Sequence, residues 1–218
     1  MFKGNSQGRV RGEQQRHKSS TVNAERFKQQ IEFILEADKL KSVSRRTTLL
    51  DRSRQENSAE HSWHIALLVL ILSEYADDDN LDPLQVIKLL LAHDLVEIDA
   101  DDTYCYDKIG EQTQKMRETK AADRIFNILP ADQADAFRAL WDEYEAKDTP
   151  ESKFANALDR LQPFLHNYFS RGHTWQKHGI QKSQVIARMQ PVDDGSHFLW
   201  DYVSRLIDDA VEKGFLAK

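Results

Sequence analysis

The chain has 218 residues, 40% of them hydrophobic and 30% charged, with a formal net charge of −6. That length suits one domain with short extensions, and the acidic balance argues against a nucleic-acid polymer as partner, since such a binder would present a basic face. A small anionic substrate stays open, because a bound metal ion reverses the local potential.

Residues 1–22 are basic and polar and lack the apolar stretch of a secretory signal, so they read as a flexible tail. Phe27, Ile31, Ile34 and Leu35 predict a helix over about 24–40. A polar stretch from Ser44 to Asn57 follows, with Arg45, Arg46, Arg52 and Arg54. Ser58 is a candidate N-cap for a helix reaching about Tyr75. Asp82-Pro83 is a start signal, a cap followed by proline at the first helical position. The helix it opens carries Val86, Ile87, Leu89, Leu90, Leu91, Ala92, Leu95 and Val96, apolar on almost every side, which predicts a buried central helix.

The segment from Asp99 to Asp107 is acidic and irregular. It holds Cys105, whose lone occurrence excludes an intramolecular disulfide framework and fits a reducing compartment, the cytoplasm. Helical patterns return at about 111–129, 131–147 and 150–169. Gly172 and Gly179 bracket a loop with Trp175 and His178, and two further helices are expected near 182–189 and 196–213. No segment reads as a strand of convincing length, and no apolar run is long enough to span a bilayer. The expected fold is all-α: one helical domain over 23–170, with a short helical extension, 171–218, packed on it.

Three groups of residues fit a structural role badly. The central helix ends in His93-Asp94-Leu95-Val96-Glu97, and helical spacing puts His93, Asp94 and Glu97 on one side. Unpaired, such groups at a buried helix end would each be unfavourable by several kcal/mol. A divalent cation would satisfy them together; a core histidine beside an ordinary ion pair is the plain alternative. His61 and His64 sit three apart in the first turn of the preceding helix, able to reach a metal or simply to cap and pack. Asp159 lies among apolar residues with Arg160 beside it, where a partly buried Asp–Arg pair is the structural reading. Imidazole and carboxylate together suit Mn, Fe, Co, Ni or Zn, and without further thiolates a structural zinc finger is excluded.

In order, His61, His93-Asp94 and Asp159 follow the H…HD…D pattern that names the HD superfamily of phosphohydrolases. Leu40 to Arg46, Glu56 to Ser62, His93 to Glu97 and Leu140 to Glu145 further resemble the branch containing the HD-domain 5′-deoxynucleotidases, over about residues 25–170. The resemblance implies an HD-type helical domain, often dimeric, that removes phosphate from nucleoside monophosphates with a divalent metal ion (Mn, Co, Fe, Ni, Zn or Mg). It implies His61, His93, Asp94 and Asp159 as metal ligands and Glu97 as the carboxylate that guides the attacking water. Asp102 would be a second acidic active-site residue, and Arg46 the arginine on the substrate phosphate. Thr47 departs from the pattern: bacterial members carry Trp directly after the phosphate-binding Arg, so preference for a 2′-deoxy sugar is expected to weaken. Other HD branches act on nucleoside triphosphates, alarmones or cyclic dinucleotides; the Gly-Tyr-Pro signature of the last is absent here. A metal or nucleotide sensor without catalysis is the alternative of a different class, disfavoured by Glu97 and Asp102 beside an intact ligand set.

Overall fold

The computed structural model describes residues 23–102, 105–106 and 108–218; the tail expected over 1–22 lies outside the described residues. The chain is helical nearly throughout. Helix α1 covers 23–37 and tightens into a 3-10 turn, Asp38–Ser42. Strands β1 (Ser44–Thr48) and β2 (Gln55–Asn57) form an antiparallel hairpin, with Ser44 opposite Asn57 and Thr48 opposite Gln55. Then come α2 (Ser58–Leu72), α3 (Pro83–His93), α4 (Glu97–Ala100), α5 (Lys108–Phe126), α6 (Ala131–Ala146) and α7 (Pro150–Phe169). The C-terminal part holds α8 (His173–His178), α9 (Lys182–Met189) and α10 (His197–Glu212).

Local chemistry sets these boundaries. Asn57, not Ser58, caps α2: its side chain accepts from the Glu60 backbone N–H while Glu60 reaches back to the Asn57 N–H, a reciprocal capping box. Ser58 is thereby free for the site. Asp82 accepts from the N–H groups of Leu84 and Gln85 with Pro83 at the first position of α3, as the sequence signal predicts. Thr149 and Ser152 cap α7 in the same reciprocal way.

The structure corrects four local expectations. The arginine-rich stretch is a small hairpin rather than a loop; its Ser, Arg and Thr residues show no apolar alternation that would betray a strand. The segment between Gly172 and Gly179 is a short helix, α8. Helix α3 is not apolar-buried all round, since Leu84 and Leu91 are 58% and 49% exposed. It also ends at His93, where the chain tightens into a 3-10 turn, Asp94–Val96, before α4 begins. His93, Asp94 and Glu97 are therefore displayed by a compound corner, not by one regular helix.

Two apolar clusters hold the helices together. One joins Ile65 and Val69 of α2, Leu89 and Leu90 of α3 and Phe154, Leu158 and Leu161 of α7 to Trp175, Val185, Val203 and Ile207 from the C-terminal helices. The other gathers Phe33, Leu95, Val96, Ala122, Ile125, Phe126 and Trp141. Between Leu90 and Leu95 the chain crosses from the first cluster to the second, and His93 and Asp94 fall in that crossing.

Backbone contacts fix the C-terminal part against α7. Gly172, at φ 72°, packs so closely on the Phe215 carbonyl that a Cβ would lie 1.9 Å from its oxygen. Gly195 approaches the Lys153 carbonyl, where a Cβ would come within 2.7 Å. Leu89 is fully buried in the larger cluster, so Leu89→Ala should lower the unfolding free energy by about 2–5 kcal/mol, lost transfer energy plus a residual cavity. Denaturant unfolding measures this; a change well under 1 kcal/mol would mean that the helices around it close the gap.

Candidate metal centre

Helix α2 brings His61, the end of α3 brings His93, the 3-10 turn brings Asp94 and α7 brings Asp159 to one point. His61 Nε2 lies 2.9 Å from Asp159 Oδ1 and 3.9 Å from Asp94 Oδ2; His93 Nε2 lies 2.9 Å from Asp94 Oδ1 and 3.7 Å from Asp159 Oδ1. With metal–donor bonds of about 2.1 Å, neighbouring donors of an octahedron stand about 3.0 Å apart and opposite ones about 4.2 Å. His61, His93 and Asp94 thus present donor atoms spaced as ligands of one ion, and Asp159 stands against both imidazoles. A further sign is His93 Nε2, which is buried and makes no hydrogen bond despite its closeness to Asp94. Its other nitrogen, Nδ1, is held by the Leu90 carbonyl at 2.8 Å, which fixes the tautomer and turns Nε2 to the site.

Electrostatics point the same way. Burial opposes charge on His93, but Asp94 and Asp159 outweigh it and hold its pKa well above the usual value. Burial likewise opposes ionised Asp159, yet the hydrogen bond with His61 and the nearby His93 ring keep its pKa well below the carboxylate norm. Tyr144 donates to Asp159 Oδ2 at 3.1 Å. The two carboxylates are thus favoured in their ionised form, with the His93 proton standing among them.

Behind His61 stands Gln162. Its Oε1 lies 3.0 Å from His61 Nδ1, and its Nε2 donates to Glu56 Oε1 at 2.6 Å. A second His and carboxylate group, Glu56, His64 and His166, also has metal-like spacing. The Gln162 amide nitrogen occupies its middle, 3.2 Å from both His64 Nδ1 and His166 Nε2. Gln162 thus ties that group to His61, and His61 and His64, paired in the sequence, meet opposite ends of the Gln162 amide.

Glu97 is buried beside the ligands, its Oε2 accepting from the Ser58 hydroxyl at 2.6 Å. Burial and the neighbouring Asp94 charge raise its pKa well above normal. Asp102, raised mainly by burial, turns back toward the cluster after Asp101, which takes a left-handed φ of 60°. Between these acids lies the guanidinium of Arg45, only 11% exposed, with Nη1 at 3.3 Å from Asp94, 3.9 Å from Glu97 and 3.8 Å from Asp102. Because successive strand residues face opposite ways, Arg46 stays exposed and lines a smaller neighbouring cavity with Thr47 and Trp175. The structure thus gathers His61, His93, Asp94, Asp159, Glu97 and Asp102, and leaves Arg46 outside that cluster.

The arrangement opens into a cleft of about 330 Å³, lined by Arg45, His93, Asp94, Glu97, Asp102 and Asp159 with Arg160 and Arg188 among others. The HD domain family matches residues 37–200. The chain belongs to the HD-domain family. The HD match extends past residue 170, through α8 and α9 into α10. Among HD relatives, the human 5′-deoxynucleotidase HDDC2 is 28% identical over 149 residues, 67% of this chain and 71% of that protein. The mouse 5′-deoxynucleotidase HDDC2 is 30% identical over 112 residues, 51% of this chain and 54% of that protein. The crystal structure of a predicted metal-dependent phosphohydrolase from Magnetospirillum magnetotacticum MS-1 superposes with a TM-score of 0.85 at 47% identity, covering 88% of this chain and 96% of that one.

Sequence reading passes over Arg45, Ser58 and Gln162 as site residues. Ser58 reads as a cap, and Arg45 is indistinguishable from Arg46 until the hairpin gives each a face. Gln162 carries one usable signal, its place three residues after Asp159 on the same helical face. Gln162→Met should leave the fold intact and weaken divalent-metal binding by about 10–100-fold, the usual effect of removing a partner that orients a ligand. Competition titration with a metal chelator reads it; unchanged affinity would show that packing alone orients His61.

Proposed function

We propose that the protein is a metal-dependent phosphomonoester hydrolase acting as a 5′-nucleotidase on nucleoside or deoxynucleoside monophosphates. The observation that carries this reading is the nearness of Glu97, Asp102 and Arg45 to His61, His93 and Asp94, whose donors are spaced as ligands of one ion. Support also comes from the human and mouse relatives, which bear the 5′-deoxynucleotidase name. The cleft of about 330 Å³ lies at the lower end of small-molecule sites, which suits one mononucleotide. Its many carboxylates disfavour a triphosphate, whose extra charge would need more unpaired cations.

In this reading His61, His93, Asp94 and Asp159 hold the ion. When bound, a divalent metal supplies Lewis acidity at a phosphoryl oxygen and lowers the pKa of water. Glu97 takes the proton as the water oxygen attacks phosphorus. Ser58 holds one Glu97 oxygen and leaves the other for that proton. The ester P–O bond breaks, and Asp102, its pKa raised by burial, gives a proton to the departing alkoxide. Arg45, relieved of Asp94 once that carboxylate serves the ion, turns its planar fork to the phosphoryl oxygens. Arg46, the position implied by family resemblance, approaches the nucleotide from the rim together with Thr47.

Glu97→Gln should keep the metal but lower kcat by about 10²–10⁴-fold. Phosphate release is to be followed across ribo- and deoxyribonucleoside monophosphates and triphosphates, with Mn, Co and Mg supplied separately. Weak sugar discrimination is expected from Thr47. Equal or faster cleavage of triphosphates would contradict the monophosphatase reading. In the same assay Arg45→Ala should depress kcat/KM more than Arg46→Ala; the reverse order would return the phosphate contact to Arg46.

The proposal includes a cytoplasmic homodimer. Trp63, Leu67, Leu70 and Ile71 lie along one side of α2 and are exposed, Trp63 by 64% and Leu70 by 68%. A two-fold pairing of that face would cover them, in the commonest symmetry of soluble oligomers. Light scattering should give twice the 25.3 kDa chain mass; a mass near one chain at micromolar concentration would rule the dimer out.

A further inference from the structure

Two cavities meet at the site, the metal cleft and the smaller one under the C-terminal helices. The described residues common to both are Arg45, Asp102, Arg160 and Arg188. Three guanidinium groups thus stand at one neck with a single carboxylate. Arg45 is occupied, since Asp94, Glu97 and Asp102 all lie within 4 Å of its Nη1.

Arg160 and Arg188 are different. Elsewhere the fold matches its arginines with acids, as in Arg26–Asp132, Arg54–Glu60, Arg124–Asp99 and Arg138–Asp142. Among the described residues neither Arg160 nor Arg188 forms an ion pair with a carboxylate. Arg160 spends its Nε on the Asn156 side chain, at 3.1 Å, and one Nη on the Arg188 backbone carbonyl, at 2.8 Å. That second bond draws the two like charges together. Two partly buried cations side by side, neither in an ion pair with a carboxylate, are unfavourable, and the fold nonetheless fixes both. Arg160 is on α7 next to the ligand Asp159. Arg188 is on α9, which Val185 and Met189 anchor in the larger apolar cluster.

We infer that Arg160 and Arg188 form a phosphate-binding clamp at the edge of the metal centre, with Arg188 supplied by the C-terminal helices. The clamp takes the phosphoryl group of the substrate, so this inference rests on the reading of the cleft as a phosphomonoesterase site. Two guanidinium groups without a carboxylate ion pair match the two charges of a phosphate monoester dianion, and their remaining N–H groups suit its oxygens. Arg45, compensated by its own carboxylates, then serves the reaction rather than the net charge of the bound group.

The test uses the metal-loaded full chain and inorganic phosphate as the probe, with binding measured by calorimetry and KM and kcat measured separately on a nucleoside monophosphate. Arg188→Gln should weaken phosphate binding roughly 10- to 100-fold, as expected for loss of hydrogen bonds to a charged group. KM should rise by a similar factor, while metal content and unfolding midpoint stay unchanged. Arg188→Lys, which keeps the charge but not the fork, should fall between the two. Wild-type phosphate affinity in Arg188→Gln, or no phosphate binding by the wild-type protein, would overturn the clamp. Arg188-dependent phosphate binding in a protein that hydrolyses no monophosphate would uphold the clamp and remove the nucleotidase reading.

Discussion

The structure depends on compensating an excess of carboxylates in one largely buried place. Glu56, Asp94, Glu97, Asp102 and Asp159 lie around His61, His93 and a single guanidinium, Arg45. Without a further positive charge the cluster manages only by contradictory protonation: His93 holds its proton strongly, while Glu97 and Asp102 are driven toward the neutral acid. Even then His93 Nε2, Arg45 Nε and Glu56 Oε2 are left without hydrogen bonds. Buried charges persist in proteins when they are paired or when they coordinate an ion. A divalent cation held by the two imidazoles and the two aspartates would settle most of these demands together, and would free Arg45 for a substrate.

The fold is arranged to hold that tension. The chain changes from α-helix to 3-10 turn and back between His93 and Glu97, so one short corner carries the candidate ligands His93 and Asp94 together with the Glu97 carboxylate. Its two sides are pinned by separate apolar clusters, Leu89 and Leu90 on one and Leu95 and Val96 on the other. Helix α7 carries Asp159, Arg160 and Gln162 within one turn: a ligand, a cation and the amide that steadies His61. The hairpin inserts one arginine and leaves its neighbour outside. The C-terminal helices, sharing the larger cluster with α2, α3 and α7, are in place to bring Arg188 to the rim.

Much of this was legible before any coordinates. Asp82-Pro83 marks the start of α3, and His93-Asp94 at the end of an apolar helix is chemically out of place without a ligand. What escaped had a physical reason. The β1 strand carries Ser44, Arg45, Arg46, Thr47 and Thr48, with no alternation of polarity to give it away, and the facing of Arg45 depends on that strand existing. Gln162 and Ser58 are neutral and ordinary in composition; their roles come from what lies across from them in space. Arg188 is 29 residues beyond Asp159 in the chain, and only the packing of α9 on α7 makes the two neighbours. Local signals of capping and periodicity are readable in one dimension, whereas the pairing of charges is decided in three.

The central claim is that a cation, not a proton network, satisfies the buried acids. The most direct measurement is an anomalous difference map from crystals grown with manganese. The account predicts one strong peak within bonding distance of His61 Nε2, His93 Nε2, Asp94 and Asp159, with the Arg45 guanidinium moved away from Asp94. No peak there, with Arg45 still against Asp94 in the presence of excess metal, would contradict it.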